Sequence, residues 1–124
     1  LTPLANRKYD ELSDGEKQKV NIARAIAQDT PLIILDEPTV HLDLINKVEV
    51  FKLLKNLADN HNKTIIISTH QIEYALQICD EIWLINNHEV KASTPLELIS
   101  SDNISDLFNE EITFDKATRS FKLS

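Results

Sequence analysis

At 124 residues, 42% hydrophobic and 27% charged, the chain has the make-up of one ordinary soluble globular domain with a real core, and it is too short for two. Its formal net charge of -7 and pI near 5.0 exclude a broad nucleic-acid backbone surface and leave room for a local anion site. One cysteine, Cys79, allows no internal disulfide and fits a reducing compartment and a buried thiol. No apolar run approaches the roughly 18 residues of a spanning helix and no signal-peptide pattern is present, so the chain is expected to be soluble by itself. It begins with Leu1, contains a single glycine, Gly15, and reads as a piece of something longer.

Residues 1–11 show no period and form an approach segment. At Ser13 the run S-D-G-E matches a capping box, in which Ser13 accepts from the Glu16 N–H and Glu16 reaches back. The helix that follows carries Val20, Ile22, Ala23, Ile26 and Ala27 on its apolar side and Lys17, Lys19 and Arg24 on a solvated face. Asp29, Thr30 and Pro31 end it. Leu32 to Thr39, LIILDEPT, then reads as a short strand covered on both faces, as in a parallel sheet, with Asp36 and Glu37 emerging at its carboxyl end. In open α/β sheets that edge binds ligands, where one acid can hold Mg²⁺ while its neighbour faces a water.

A second helix is predicted from about Leu44 to Ala58, with Asp43 as N-cap and Leu44, Val48, Phe51, Leu54 and Ala58 at helical spacing. After a turn at Asn60, His61 and Asn62, Thr64 to Ser68 repeats the buried-strand pattern, so the strand, helix, strand order implies parallel strands. A third helix, roughly Gln71 to Cys79, leads to a strand at Glu81 to Ile85. A turn at Asn86, Asn87 and His88 then returns through Glu89 to Lys91. Thr94-Pro95 starts a short helix, Ser105 to Phe108 a further one, and Ile112 to Phe114 with Ser120 to Leu123 form two short strands. His41, His61 and His88 fall in polar turns, and Trp83 reads as core.

The loops 12–16, 36–43 and 68–70 make a phosphate-handling set. Ser13 and Gly15 offer a hydroxyl, backbone N–H groups and the positive end of a helix dipole, although the capping box explains Ser13 and Glu16 equally well. His70 comes just past the second buried strand, at the same sheet edge as Asp36 and Glu37.

LSDGEKQKVNIARAIAQ, then LIILDEPT, HLD and STH, in this order, resemble the later part of an ATP-binding cassette (ABC) transporter ATPase. Leu12 to Glu16 resemble the signature motif, Leu32 to Glu37 Walker B with the catalytic glutamate, Leu42 and Asp43 the D-loop, and His70 the switch histidine. The resemblance implies an α/β fold, that of a three-layer P-loop NTPase with parallel core strands, partial and lacking the Walker A half. It divides the chain into 1–100, the later part of the nucleotide-binding domain, and 101–124, an extension of unassigned role.

The resemblance further implies ATP and Mg²⁺ as ligands. Asp36 would organise Mg²⁺ largely through water, Glu37 would polarise the attacking water, and His70 would contact the γ-phosphate. Asp43 would couple the two sites of a head-to-tail dimer. Ser13, Asp14, Gly15 and Glu16 would face the nucleotide of the second subunit, Ser13 and Gly15 contacting its γ-phosphate. Implied partners are that second ATPase subunit and transmembrane permease subunits, with no nucleic acid, and the implied place is the cytoplasmic face of the inner membrane.

Two departures stand out. Asp14 occupies the usual second glycine of the signature, and this LSDGE form is similar to cassettes that import iron-siderophore, haem or cobalamin chelates. Nowhere does the chain contain G-x-x-x-x-G-K-[ST], and one glycine could not build it, so the chain alone is not expected to hydrolyse ATP. Two alternatives stay open: a soluble ABC ATPase of DNA repair or chromosome maintenance, and an inactive regulatory or interaction module.

Overall fold

The computed structural model describes residues 4–101, 112–115 and 117–123, which fall into two compact units, Leu1–His70 and Gln71–Ser124. Among the described residues no helix is long and apolar enough to cross a membrane.

In the first unit a 3-10 turn at Tyr9–Glu11 leads into α1 (Asp14–Ala27), β1 (Leu32–Asp36), α2 (Leu44–Asn60) and β2 (Thr64–Ser68). The capping box forms as expected: Glu16 N–H donates to Ser13 Oγ and Ser13 N–H donates to Glu16 Oε1, each at 3.1 Å. The Asp43 carboxylate caps α2 through the Asn46 N–H at 2.9 Å. Strands β1 and β2 pair in parallel from Leu32 opposite Thr64 to Asp36 opposite Ser68, as the crossover through α2 requires. Lys63, just before β2, donates to the Asp29 carboxylate at 2.5 Å and to the Thr30 carbonyl at 3.1 Å, which ties the two strand starts together.

The core gathers on one face of this pair. Ile22 from α1, Val50 and Leu54 from α2 and Leu42 from the intervening loop are buried, with Ile26, Leu35, Leu57, Ile65 and Ile67 packed against them. Because side chains alternate along a strand, Leu32, Ile34 and Ile66 lie on the opposite face, and all three are exposed, Ile34 to 67%. The expectation of strands covered on both faces is corrected in this respect. The predicted stripe of α2 is also shifted: Val50, Phe51 and Leu54 are buried, whereas Leu44 is exposed. Lys17 is not simply solvated, since its ammonium sits 5.4 Å from the centre of the Tyr9 ring.

The second unit holds α3 (Ile72–Ile78), a hairpin of β3 (Ile82–Asn86) and β4 (Glu89–Ser93), α4 (Pro95–Ser100), and a second hairpin of β5 (Ile112–Asp115) and β6 (Ser120–Leu123). Asn87 and His88 both have positive φ, 48° and 65°, the conformation that a two-residue hairpin loop demands. Leu76, Leu98 and Ile99 form a small core with Ile72, Ile82 and Leu84. Trp83 points to the other side of the hairpin and is 58% exposed, so its expected core placement is corrected, as is that of Cys79, which is only half-buried. The expected helix at Ser105 to Phe108 lies outside the described residues.

Two outcomes follow from this packing. In urea denaturation of the chain, Ile22→Ala should cost about 2–5 kcal/mol by opening a cavity in the core, whereas Ile34→Ala on the open face should change stability by less than about 0.5 kcal/mol. The backbone N–H and side chain of Asn46 hold the Asp43 carboxyl below the usual carboxylate range, as the Ser13 N–H does for Glu16 and the Lys63 ammonium for Asp29. A carboxyl lowered in the folded state stabilises it above its unfolded value and loses that contribution as pH falls through the folded one. Thermal melts should therefore hold level near neutrality and drop below about pH 4. Asp43→Asn, which keeps a capping oxygen but does not titrate, should make that acid limb shallower.

Candidate functional site

The site lies at the carboxyl ends of β1 and β2. The parallel register sets Asp36 beside Ser68, and the Ser68 hydroxyl donates to the Asp36 carboxylate. The same oxygen accepts the Glu37 N–H at 2.9 Å, and the Ser68 carbonyl accepts it at 3.2 Å. Glu37 leaves the strand with φ of 44°, a left-handed backbone that costs an ordinary side chain about 1–2 kcal/mol. Its neighbours overdetermine that conformation. On the far side of the residue, the Glu37 carbonyl accepts the Val40 N–H at 3.3 Å and the Gln18 amide at 2.6 Å. Proline at position 38 supplies the φ that the second residue of such a turn needs.

This backbone presents the Glu37 carboxylate to His70, whose Nε2 lies 2.6 Å from Glu37 Oε1. The pair differs in exposure: the His70 side chain is 93% exposed and that of Glu37 35%. An imidazole N–H that holds one carboxylate oxygen leaves the other to accept a hydrogen bond from water. The arrangement can therefore orient a water and aim it at an electrophile brought to the sheet edge.

The structure also explains the single glycine. A Cβ on Gly15 would stand 3.0 Å from the His41 carbonyl oxygen and 3.5 Å from Leu42 Cδ2, so α1 meets the loop 36–43 where any larger residue would push that loop away. Leu42 anchors the same loop in the core. Gln18, one helical turn further on, completes the contact: its Oε1 accepts the His41 N–H at 3.1 Å while its Nε2 holds the Glu37 carbonyl.

The structure thus joins Asp36, Glu37 and His70 in one hydrogen-bonded group with Ser68, and it brings Gly15 against the loop that carries Glu37 and Asp43. The other expected site residues are engaged locally. Ser13 and Glu16 close on each other in the capping box, the Asp43 carboxylate turns to Asn46 of its own helix, and Asp14 is exposed at the first turn of α1. Gln18 and Ser68 are the participants that sequence reasoning passed over. Ser68 was findable, since the parallel register that pairs the two strands sets it opposite Asp36, whereas nothing local marks Gln18.

The donor set decides what metal could sit here. Among the described residues no three His, Cys, Asp or Glu side chains are gathered as a metal cage. One exposed strand-end carboxylate, Asp36, with a hydroxyl beside it suits an ion such as Mg²⁺ that keeps most of its waters and takes its remaining ligands from phosphates.

A family model described as ABC transporter matches residues 1–40. The chain is 38% identical over 120 residues to the hemin import ATP-binding protein of Shewanella denitrificans, covering 92% of this chain and 47% of the relative. Its fold matches an inward-facing ABC transporter of the metal-chelate type with a TM-score of 0.80 at 38% identity, over 98% of this chain and 49% of that one. It also matches a dimeric ATP-binding cassette in a post-hydrolysis state bound to ADP and Pi, with a TM-score of 0.71 at 34% identity over 77% of this chain and 41% of that one. The chain spans less than half the length of the curated relatives it matches, from 37 to 47% in three of them. Sequence and fold agree, and the chain belongs to the ATP-binding cassette family as part of its α/β P-loop NTPase domain.

Proposed function

We propose that the chain is the later part of the ATP-hydrolysing subunit of an ABC transporter, one that energises import of a metal chelate such as an iron-siderophore, haem or cobalamin. The observation that carries this reading is the Glu37 and His70 pair at 2.6 Å beside Asp36, at the sheet edge where α/β folds bind ligands. Support for the substrate class comes from the LSDGE form of the signature and from the hemin importer and metal-chelate type transporter that the chain is similar to.

In this reading Glu37 accepts a proton from the attacking water, His70 holds the Glu37 carboxylate in place and contacts the γ-phosphate, and Ser68 fixes the backbone of Glu37 and the carboxylate of Asp36. Asp36 would hold Mg²⁺ through water, and the ion would supply charge neutralisation on the phosphates. Phosphoryl transfer depends mainly on positioning and charge stabilisation, which is what these groups are placed to do. The open N-terminal turn of α1, with Ser13, Asp14, Gly15 and Glu16, would face the nucleotide of a second subunit, and Asp43 would lie at the junction of the two sites. Residues 1–100 would form the later part of the cassette and 101–124 an accessory extension. Such a subunit works on the cytoplasmic face of the inner membrane, against a transmembrane permease.

The grip on the subunit's own nucleotide has to come from a G-x-x-x-x-G-K-[ST] loop that is not in this sequence. Reading the coding DNA upstream of Leu1 should reveal an in-frame strand followed by that loop; a start codon at Leu1 would exclude catalysis in cis. In the full-length protein, Glu37→Gln should abolish ATP turnover, a loss of about 100-fold or more, and leave ATP-dependent dimerisation intact by size-exclusion chromatography. Unchanged turnover would remove Glu37 from the mechanism.

A further inference from the structure

We infer that Gln18 is a positioning residue: its side-chain amide ties α1 to the turn that carries Glu37 and so sets where the water-orienting carboxylate stands. The inference rests on the ATPase reading above and goes beyond it, because it assigns a part to a residue outside the signature, Walker B, D-loop and switch positions.

The amide works from both ends. Its Nε2 donates to the Glu37 carbonyl at 2.6 Å, and its Oε1 accepts from the His41 N–H at 3.1 Å. The uncharged amide offers both a donor and an acceptor, whereas an ionised glutamate has no donor and a lysine no acceptor. The two anchor points bracket the turn 37–41, which the Val40 N–H to Glu37 carbonyl bond closes from within. Three residues earlier on the same helix, Gly15 abuts the carbonyl of His41. Helix α1 therefore holds His41 by its N–H and Glu37 by its carbonyl, both through Gln18, and passes close to the His41 carbonyl at Gly15.

A small rotation or shift of α1 has nowhere to go without moving this turn. The residue it moves is Glu37, which sits at φ of 44° and carries the contact to His70. The left-handed backbone is held by Ser68 on its N–H side and by Val40 and Gln18 on its carbonyl side, so loss of Gln18 leaves that carbonyl only the bond from within its own turn. A displacement of the order of 1 Å at a reacting group can cost about 100-fold in rate. Gln18 touches neither substrate nor reacting atoms, and its effect passes through Glu37.

The test is steady-state ATP hydrolysis by the full-length protein with Gln18→Ala, Gln18→Glu and Glu37→Gln. Gln18→Ala should lower kcat by about 10- to 100-fold with KM for ATP within about twofold of the unsubstituted protein, and it should leave ATP-dependent dimerisation in place. Gln18→Glu keeps an acceptor for His41 but sets a second oxygen against the Glu37 carbonyl. Protonation restores an O–H donor, so the ratio of its kcat to that of the unsubstituted protein should rise as pH is lowered, a profile that a merely structural role would not produce. If Glu37→Gln abolishes turnover while both Gln18 variants keep full kcat, the positioning role is wrong and the ATPase reading stands. Turnover that survives Glu37→Gln would overturn both. Loss of fold by circular dichroism in both Gln18 variants would reduce Gln18 to a structural bond and overturn the inference.

Discussion

The site depends on one backbone conformation, the left-handed turn at Glu37. A glutamate does not adopt φ of 44° by preference, and here it is held by bonds from separate elements: Ser68 at the end of β2 takes its N–H, Gln18 of α1 takes its carbonyl, and His70 takes its carboxylate. Each of these partners is delivered by a different constraint. The parallel register places Ser68, the close approach at Gly15 places α1, and the single residue Thr69 leads from β2 to His70. Strained residues that persist because their surroundings overdetermine them concentrate at functional sites, and the side chain so presented is the one whose chemistry the reading requires.

The same close approach accounts for the shape of the core. With Gly15 against the His41 carbonyl, α1 and the loop before α2 come near enough for Ile22, Leu42, Val50 and Leu54 to share one cluster. That cluster covers one face of β1 and β2 and leaves Leu32, Ile34 and Ile66 open. Runs such as LIIL and TIII read in sequence as strands buried on both faces. An aliphatic face without a cover accords with a chain that spans less than half the length of its relatives.

Much of the first unit was legible in sequence because its signals are local. A serine three residues before a glutamate, an aspartate before a helical period and β-branched runs between turns each declare an element without help from elsewhere, and α1, α2, β1 and β2 lie where those signals put them. The asparagine-rich hairpin turn did the same for β3 and β4. What failed depended on neighbours. Trp83 has a strand pattern whichever face is inward, and only the placement of Leu76 and Leu98 decides that Ile82 and Leu84 are chosen. Lys17 looks solvated until Tyr9 is folded under it. The candidate site divides along the same line: Asp36, Glu37 and His70 stand out by type and spacing, whereas Gln18 is one glutamine among polar helix residues until two backbone groups from 19 and 23 residues away close on it.

Charge supplies the last constraint. The loops 36–43 and 68–70, which the proposed reading sets at the subunit's own nucleotide, carry Asp36, Glu37 and Asp43 and no lysine or arginine. A triphosphate approaching these loops alone meets like charge. Such a half-site is suited to accepting a proton from water and unsuited to holding the phosphate that the water attacks. On the proposed reading the division is functional: the cations that grip the nucleotide belong to a loop with the lysine that this sequence lacks and to the metal beside Asp36. The acids gathered here then meet the substrate only once that positive charge is in place. On that reading Glu37 would meet the phosphate only after neutralisation, an order that electrostatics alone would impose.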